Sequence, residues 1–360
     1  MNLINRRFAA PSCVAVRGSV FVAAVLVVAL VFTPAEAGAG SLDLAYHNVG
    51  VSFGNSKQFT GLRFNLVDQG VQQINGLNVT LFKPGKSPAG SINGVSLALI
   101  GADAAEINGV NLGVVGMAAD RLRGVSVGVF GLGVEEDLVG IGIAGVGIGG
   151  GNVKGIAIGG IGVGGDDMNG VAMGLIGVGG ESMDGIAIGG IGVGAKAFRG
   201  FGIGGLGIGG DKLEGFFIGG LGAGAEVVRG FAIGGLGVGG EKLEGVFIGG
   251  LGAGAEEFTG VGIGGLGAGA KDFKGVGIGG LGVGAEDFQG VAIGGVVTKF
   301  ENARWFTAAT FNRAVYEMVG VQIGIFNTAG SLHGVQIGVL NYAGNNPKWA
   351  RILPLVNLNL

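Results

Sequence analysis

Charge, cysteine, histidine and proline are all scarce in this chain, and each scarcity closes a class of function. Charged residues are 13% of 360 positions and the formal net charge is −3. That is too little charge to draw nucleic acid or an anionic membrane, and no basic stripe interleaved with aromatics occurs. The single cysteine, Cys13, sits in the N-terminal segment, so the rest of the chain has no disulfide and no thiol chemistry. His47 and His333 are the two histidines and lie far apart in sequence, which leaves no expected His–His metal pair or triad. Proline is scarce and glycine does not recur at every third position, so a collagen helix is excluded. Helical spacing is missing from the glycine-rich array. A G-x-G-x-x-G match is unavoidable among 86 glycines and has no dinucleotide meaning without a following helix. Disorder is a poor reading, because aliphatic residues are abundant.

The N-terminus reads as an export signal. Arg6, Arg7 and Arg17 precede an apolar run from Val20 to Phe32, followed by Ala35-Glu36-Ala37. A basic stretch, a short apolar core and an A-x-A site define a secretory leader. The alternative is a membrane anchor, which needs about 20 apolar residues to span. The expected mature chain begins at Gly38 and leaves the cytoplasm.

What the chain does have is a repeat. A glycine opens a unit every fifteen residues from Gly140 to Gly290, as in GVGIGGLGVGAEDFQ from Gly275. A fixed period of this kind marks a repeat architecture. Within each unit the apolar residues alternate, as in a strand, and the parity flips across a glycine pair such as Gly279-Gly280. A corner there would keep all the large aliphatic residues on one side. The expectation is therefore an all-β parallel β-solenoid with about fifteen residues per coil, capped at both ends. Its expected inward residues are Ile156, Phe201 and Val276; Ile158, Ile188, Ile203 and Ile278; Ile161, Leu206 and Leu281; Val163, Ile208 and Ala223; and Met168, Phe198, Leu213 and Phe288. Ala157, Gly162, Ala187, Gly192, Phe217, Gly222, Phe247 and Gly252 are expected to point outward, giving flat Gly/Ala faces. On that assignment Ile203→Asp is more damaging than Gly202→Ser, because it places a charge in the core.

Charge supports stacking. The residue before each opening glycine runs Asp184, Arg199, Glu214, Arg229, Glu244, and alternating sign suits neighbours one coil apart. Trp305 falls fifteen residues after Gly290, in frame, and Asn312, Asn327 and Asn341 are spaced to stack as a ladder. The organisation read from these signals is a leader at 1–37 and cap strands at 38–60. Irregular repeats follow at 61–139, with an insertion around Lys83-Pro84-Gly85-Lys86. Regular repeats occupy 140–304, Asn-bearing repeats 305–345 and a C-terminal cap 346–360. Atypical ends close the core of a repeat array.

The segment from Gly320 to Leu360, GVQIGIFNTAGSLHGVQIGVLNYAGNNPKWARILPLVNLNL, resembles bacterial surface repeat-containing proteins with GVQIGLIN-type repeats. The resemblance implies export and a repeat surface, and it carries no catalytic residues. Asp166-Asp167, Glu256-Glu257 and Glu286-Asp287 are paired acids beside glycines. The nine-residue calcium repeat is missing, however, and Lys196, Arg199 and Lys271 share the same corner. No catalytic, cofactor-binding or metal residue is assigned, and no cofactor. The expected function is a non-enzymatic exported scaffold at the cell envelope, periplasm or cell surface. It would meet itself or another envelope component through its flat faces, with membrane association open. Two alternatives stand beside it: an outer-membrane β-barrel with one strand per repeat, and a glycan-binding or glycan-processing solenoid.

Overall fold

The computed structural model describes residues 40–83 and 89–360. The expected leader and its Ala35-Glu36-Ala37 site lie outside the described residues, as do Pro84, Gly85 and Lys86 of the insertion. The chain divides into two compact units, one ending at Lys196 and one beginning at Ala197. Each is a parallel β-solenoid, and no helix occurs among the described residues.

In the first unit, strand Gly162–Gly174 runs parallel to Gly177–Gly189, with Gly170 beside Gly185. The same column runs back through Gly155, Gly140, Gly124, Gly109, Gly94, Gly76 and Gly61. In the second unit it runs from Gly215 through Gly290 to Trp305, Gly320 and Gly334. Consecutive strands of an up-and-down barrel are antiparallel, so the parallel pairing counts against the barrel alternative. Antiparallel pairs occur at the ends, between Ser41–Tyr46 and Val49–Gly54 and between Phe326–Ala343 and Ile352–Asn359. Reversing the chain at each end gives the terminal coils a strand partner in place of an open edge.

Glycine columns at the first, fifth and sixth residues shape the regular coils, and a Cβ on the sixth, as on Gly220, would collide with the carbonyl oxygen of Gly205 one coil earlier. The opening glycine has φ between 103° and 142° from Gly124 to Gly290, a region that residues with a Cβ rarely enter. A Cβ there would also collide with the carbonyl oxygen of the opening glycine one coil earlier, as Gly215 would with Gly200. The fifth residue of the unit is the second constraint. A Cβ on Gly159, Gly219 or Gly279 would collide with the carbonyl oxygen three residues on, at Gly162, Gly222 or Gly282. The strand bends directly after this glycine. The corner expected at the glycine pair is therefore present, and its first glycine faces inward because the wall there folds back on itself.

That inward glycine corrects the expected assignment. Side chains alternate along a strand, so an inward fifth residue makes the third residue inward and the second and fourth outward. Ala157, Phe217 and Phe247 are 0% exposed and Ala187 is buried. Ile156 and Ile161 are 38% and 40% exposed, and Ile158, Leu206 and Leu281 are exposed with them. Phe201, Ile203, Val276, Ile278 and Ile188 are part-exposed. The glycines Gly162, Gly192, Gly222 and Gly252 are also part-exposed. Val163, Ile208, Ala223, Met168, Phe198, Leu213 and Phe288 are buried as expected.

The core is thus thin, and it is filled by matched volumes. Phe258, Phe273 and Phe198 sit four residues before Gly262, Gly277 and Gly202; Leu213 and Leu243 sit four before Phe217 and Phe247. A large residue at one of these buried positions goes with a small or medium one at the other. A Cβ on Gly262 would lie 2.7 Å from Phe258 Cζ, and one on Gly277 would lie 2.8 Å from Val283 Cγ1. The rings stack from coil to coil, with Phe258 and Phe273 at 4.4 Å and 7°. Such burial contributes roughly 1.5–3 kcal/mol per side chain.

Toward both chain ends the same interior column turns polar. In the first unit it reads Ser52, Arg63, Asn78, Ser96, Asn111, Ser126, all buried. Arg63 forms a buried ion pair with Asp68 and donates to Asn78 Oδ1 at 2.6 Å and Asn55 Oδ1 at 2.8 Å. In the second unit that column reads Thr307, Gln322, Gln336, and Gln336 donates to Gln322 at 2.8 Å, which the sequence analysis did not anticipate. The ninth-residue column beside it turns polar too: Asn312 donates to Asn327 at 2.8 Å and Asn327 to Asn341 at 2.7 Å, which is the expected ladder. Buried amides left without partners cost about 1–3 kcal/mol each, and stacking them on their own kind supplies partners.

The corrected assignment reverses one expectation. A Cβ on Gly202 would lie 2.7 Å from Phe198 Cε1 and 3.0 Å from Phe217 Cδ1, both in the packed core. Gly202→Ser should therefore cost about 1–3 kcal/mol as overpacking. Ile203→Asp, on the outer wall, should cost about 1 kcal/mol or less through lost strand propensity. Thermal melts of the two variants check this, and a larger loss for Ile203→Asp would contradict the assignment.

Candidate functional site

Two surfaces of each coil differ sharply in chemistry. The outer wall carries the second, fourth and seventh residues of every unit, all aliphatic or Phe in the regular repeats of the second unit. Its leucine column, Leu206, Leu221, Leu236, Leu251, Leu266 and Leu281, is 49% to 53% exposed throughout. Beside it run Ile203, Ile218, Ile233, Ile248, Ile263 and Ile278, part-exposed. Phe201, Phe216 and Phe231 stack along the same wall at 5.4 and 4.7 Å. The wall exists because inward glycine sets the parity and in-register pairing repeats it coil after coil. The first unit has its own version in Ile156, Ile158 and Ile161, then Ile186 and Ile191, with Leu175 76% exposed where other coils carry glycine. Of the expected flat faces, the one at Ala157, Ala187, Phe217 and Phe247 is replaced by a ridged aliphatic one, while Gly162, Gly192, Gly222 and Gly252 stay part-exposed as expected.

The charged edge is the other surface. Arg199 Nη2 lies 3.0 Å from Glu214, Arg229 Nη1 lies 3.2 Å from Glu214, and Arg229 Nε lies 2.8 Å from Glu244. From Arg199 to Glu244 the alternation of sign seen in the sequence is therefore a ladder of ion pairs between adjacent coils. Lys212 and Lys242 join from within the coil, at 2.8 Å from Glu214 and 3.1 Å from Glu244. Lys212, then Arg199 and Arg229, hold the Glu214 carboxyl down to about 2 against an ordinary 4.5. Lys242 and Arg229 likewise lower Glu244. Each such exposed pair contributes little alone, and shared partners make the row a network.

The residues that could bear chemistry are dispersed. His47 sits in the first hairpin turn with φ 49°, its ring 4.1 Å edge-on to Tyr46. His333 Nε2 lies 3.9 Å from Glu317. Asp166-Asp167 and Glu256-Glu257 are exposed on the charged edge, where Glu257 pairs with Lys242 at 3.2 Å. Asp287, beside the exposed Glu286, accepts from Asn302 at 2.9 Å. No group of three or more metal-ligating side chains occurs among the described residues. Trp305 takes the place of an opening glycine with φ 98° and is 65% exposed; a non-glycine residue there carries strain of order 1–3 kcal/mol.

No known family model, curated protein or solved structure matches the chain. The surface chemistry above is therefore the basis for reading what this solenoid does. Its two elements, aliphatic wall and paired-charge edge, are set by repeat positions rather than by any isolated motif.

The charged edge gives a pH signature. Glu214 has a folded pKa below its unfolded value, so its contribution is full above about 4.5 and is lost as pH falls toward about 2. The melting-temperature difference between the native chain and Glu214→Gln should be constant near neutrality and shrink through that window. A difference that stays unchanged down to the bottom of the window would contradict the ladder.

Proposed function

We propose that this chain is an exported, non-enzymatic repeat protein that works as a structural and interaction scaffold of the bacterial cell envelope or cell surface. The observation that carries the reading is the aliphatic wall of the solenoid. Monomeric soluble proteins rarely expose an apolar patch beyond roughly 300–600 Å², and larger ones mark interaction sites. Here the wall recurs in every regular coil because the repeat places Ile and Leu outside. The leader-like N-terminus, Arg6-Arg7 to Ala37, and the likeness of Gly320–Leu360 to surface repeat proteins support export. The acids of the charged edge pair with Arg and Lys of the same edge, a structural role for groups that a glycan-processing reading would use as catalytic carboxylates.

Localisation tests the reading. The full-length chain, carrying a small tag after Leu360 and expressed in a bacterium, should fractionate with the envelope or medium. Its N-terminal sequence should begin near Gly38. Protein that stays in the cytoplasm with Met1 retained would overturn the proposal.

A further inference from the structure

We infer that the last coils of the second unit seat this chain on the surface of an anionic lipid bilayer. The inference deepens the scaffold reading, on which it rests, by naming the envelope component that the chain meets. It starts from a break in the repeat. In every coil opened from Gly200 to Gly275 the eighth and tenth residues are glycines on either side of a buried ninth, such as Gly282 and Gly284 around Val283. The next coils place Val297, Phe311 and Phe326 at the eighth position, in register with Gly282. They place Lys299, Arg313 and Thr328 at the tenth, in register with Gly284. Asn341 stacks on Asn327, so Leu340 and Tyr342 on either side of it extend both columns by one coil. Alternation along each strand points the eighth and tenth residues to the same outer side. Phe311 and Phe326 stack there at 5.0 Å and 6°. The result is an exposed apolar row bordered by Lys299, Arg313 and Tyr342.

The two cations are not placed for stability. Lys299 and Arg313 are direct neighbours one coil apart, and like charges so placed repel. The charged edge avoids this by pairing Arg199, Glu214, Arg229 and Glu244 in alternation. No ion pair among the described residues involves Lys299 or Arg313. Glu301 and Glu317 are the acids of these coils, and both belong to the charged edge. Glu317 is in register with Asn302 and through it with Asp287, and Glu301 precedes Asn302. From 297 to 360 basic residues outnumber acidic ones five to two, in a chain whose formal net charge is −3. The whole-chain balance, read in the sequence as too weak for an anionic membrane, conceals this local excess. Lys299 and Arg313 are fourteen residues apart in sequence, and stacking makes them neighbours.

Size and border select lipid over protein. Four layers at about 4.8 Å and three residues at about 3.3 Å give roughly 19 by 10 Å, about 200 Å². A stable protein interface needs about 800 Å² per partner. Peripheral docking on a bilayer needs no matched surface. A few apolar side chains enter the boundary between headgroups and acyl chains, basic neighbours meet anionic headgroups, and Tyr or Trp sit at the interface. This face has all three. Tyr342 pairs with Ile352, and the loop 344–351 between them carries Lys348 and Trp349, the latter 80% exposed.

Vesicle binding by the full chain carrying Trp305→Phe tests this, because Trp349 is then its only tryptophan. Trp349 emission should shift to the blue on vesicles of equal parts phosphatidylglycerol and phosphatidylcholine, and much less on phosphatidylcholine alone. Salt at about 1 M, where the Debye length is about 3 Å, should weaken the response. Lys299→Gln with Arg313→Gln should weaken binding to the mixed vesicles by about 30-fold and keep native far-ultraviolet circular dichroism. Lys271→Gln with Lys274→Gln removes the same charge from the charged edge and should change binding little. Both double variants share the N-terminal segment, so the difference between them reads the face. Emission indifferent to mixed vesicles, an equal response to both vesicle types, or equal losses from the two double variants would overturn the inference. So would release by inorganic phosphate matched to the lipid phosphate, which marks a site for a free anion. A dimer in lipid-free buffer that Phe311→Glu splits would overturn it too, by making a second copy the occupant. Protein found at the cell surface that ignores vesicles would end this inference alone and leave the scaffold reading in place. Protein retained in the cytoplasm that binds them would do the reverse.

Discussion

The fold depends on a steric limit at the corner of each coil. The chain turns so tightly after the fifth residue of the repeat that a Cβ on Gly219 or Gly279 would collide with the carbonyl oxygen three residues ahead. Glycine holds this position in every coil opened from Gly155 to Gly290, and it faces inward. Strand alternation then carries that choice outward in both directions. Ala, Gly or Phe at the third position goes inside, and the large aliphatic residues at the second and fourth go outside. The core therefore cannot be a broad aliphatic column. It is a narrow seam in which one larger side chain per coil is balanced by a smaller neighbour, as Phe258 is by Gly262 and Met168 by Ala172.

The surface follows from the same limit. Residues excluded from the seam form an aliphatic wall, and in-register stacking turns single side chains into ridges. Stacking also turns a row of exposed charges into a ladder. Glu214 is shared between Arg199 and Arg229 because they lie one coil on either side of it. A wall of this kind facing water is costly unless something covers it, which links the geometry of a glycine corner to association.

Much of the architecture was legible in the sequence. The fifteen-residue frame, the glycine corner, the in-frame Trp305, the charge ladder and the Asn312–Asn327–Asn341 column all follow from period and composition. Sidedness followed for the ninth and fourteenth residues of the unit, and not for the second to fourth or the seventh. Hydrophobic pattern alone places Ile and Val inside, yet the third residues of the early coils, Arg63, Asn78, Ser96, Asn111 and Ser126, are polar and buried. Arg63 bonds Asp68, Asn78 and Asn55, and Asn111 bonds Ser126. The missed signal was the second glycine constraint. Two adjacent glycines repeated in nearly every regular coil mark a corner with no room for a side chain at either of them, and the first is the inward residue. The pairing of large and small residues four apart, such as Leu243 with Phe247, was a further sign that these positions share one cavity. The surface was mistaken for the same reason: once the parity of the first strand is wrong, its third residue looks external and the aliphatic wall looks internal.

The central claim is the sidedness of the coil, and cysteine reactivity reads it directly. Cys13 is the only cysteine in the sequence, and replacing it with serine gives a clean background. Single cysteines placed through the coil Gly260 to Lys274 can then be labelled with a small thiol reagent at high dilution, where association through the wall does not interfere. The account predicts fast labelling at Ile263 and Leu266 and slow labelling at Ala268 and Phe273, which are 3% and 0% exposed. Slow labelling at Ile263 and Leu266, matching Phe273, would contradict it and restore a broad aliphatic core.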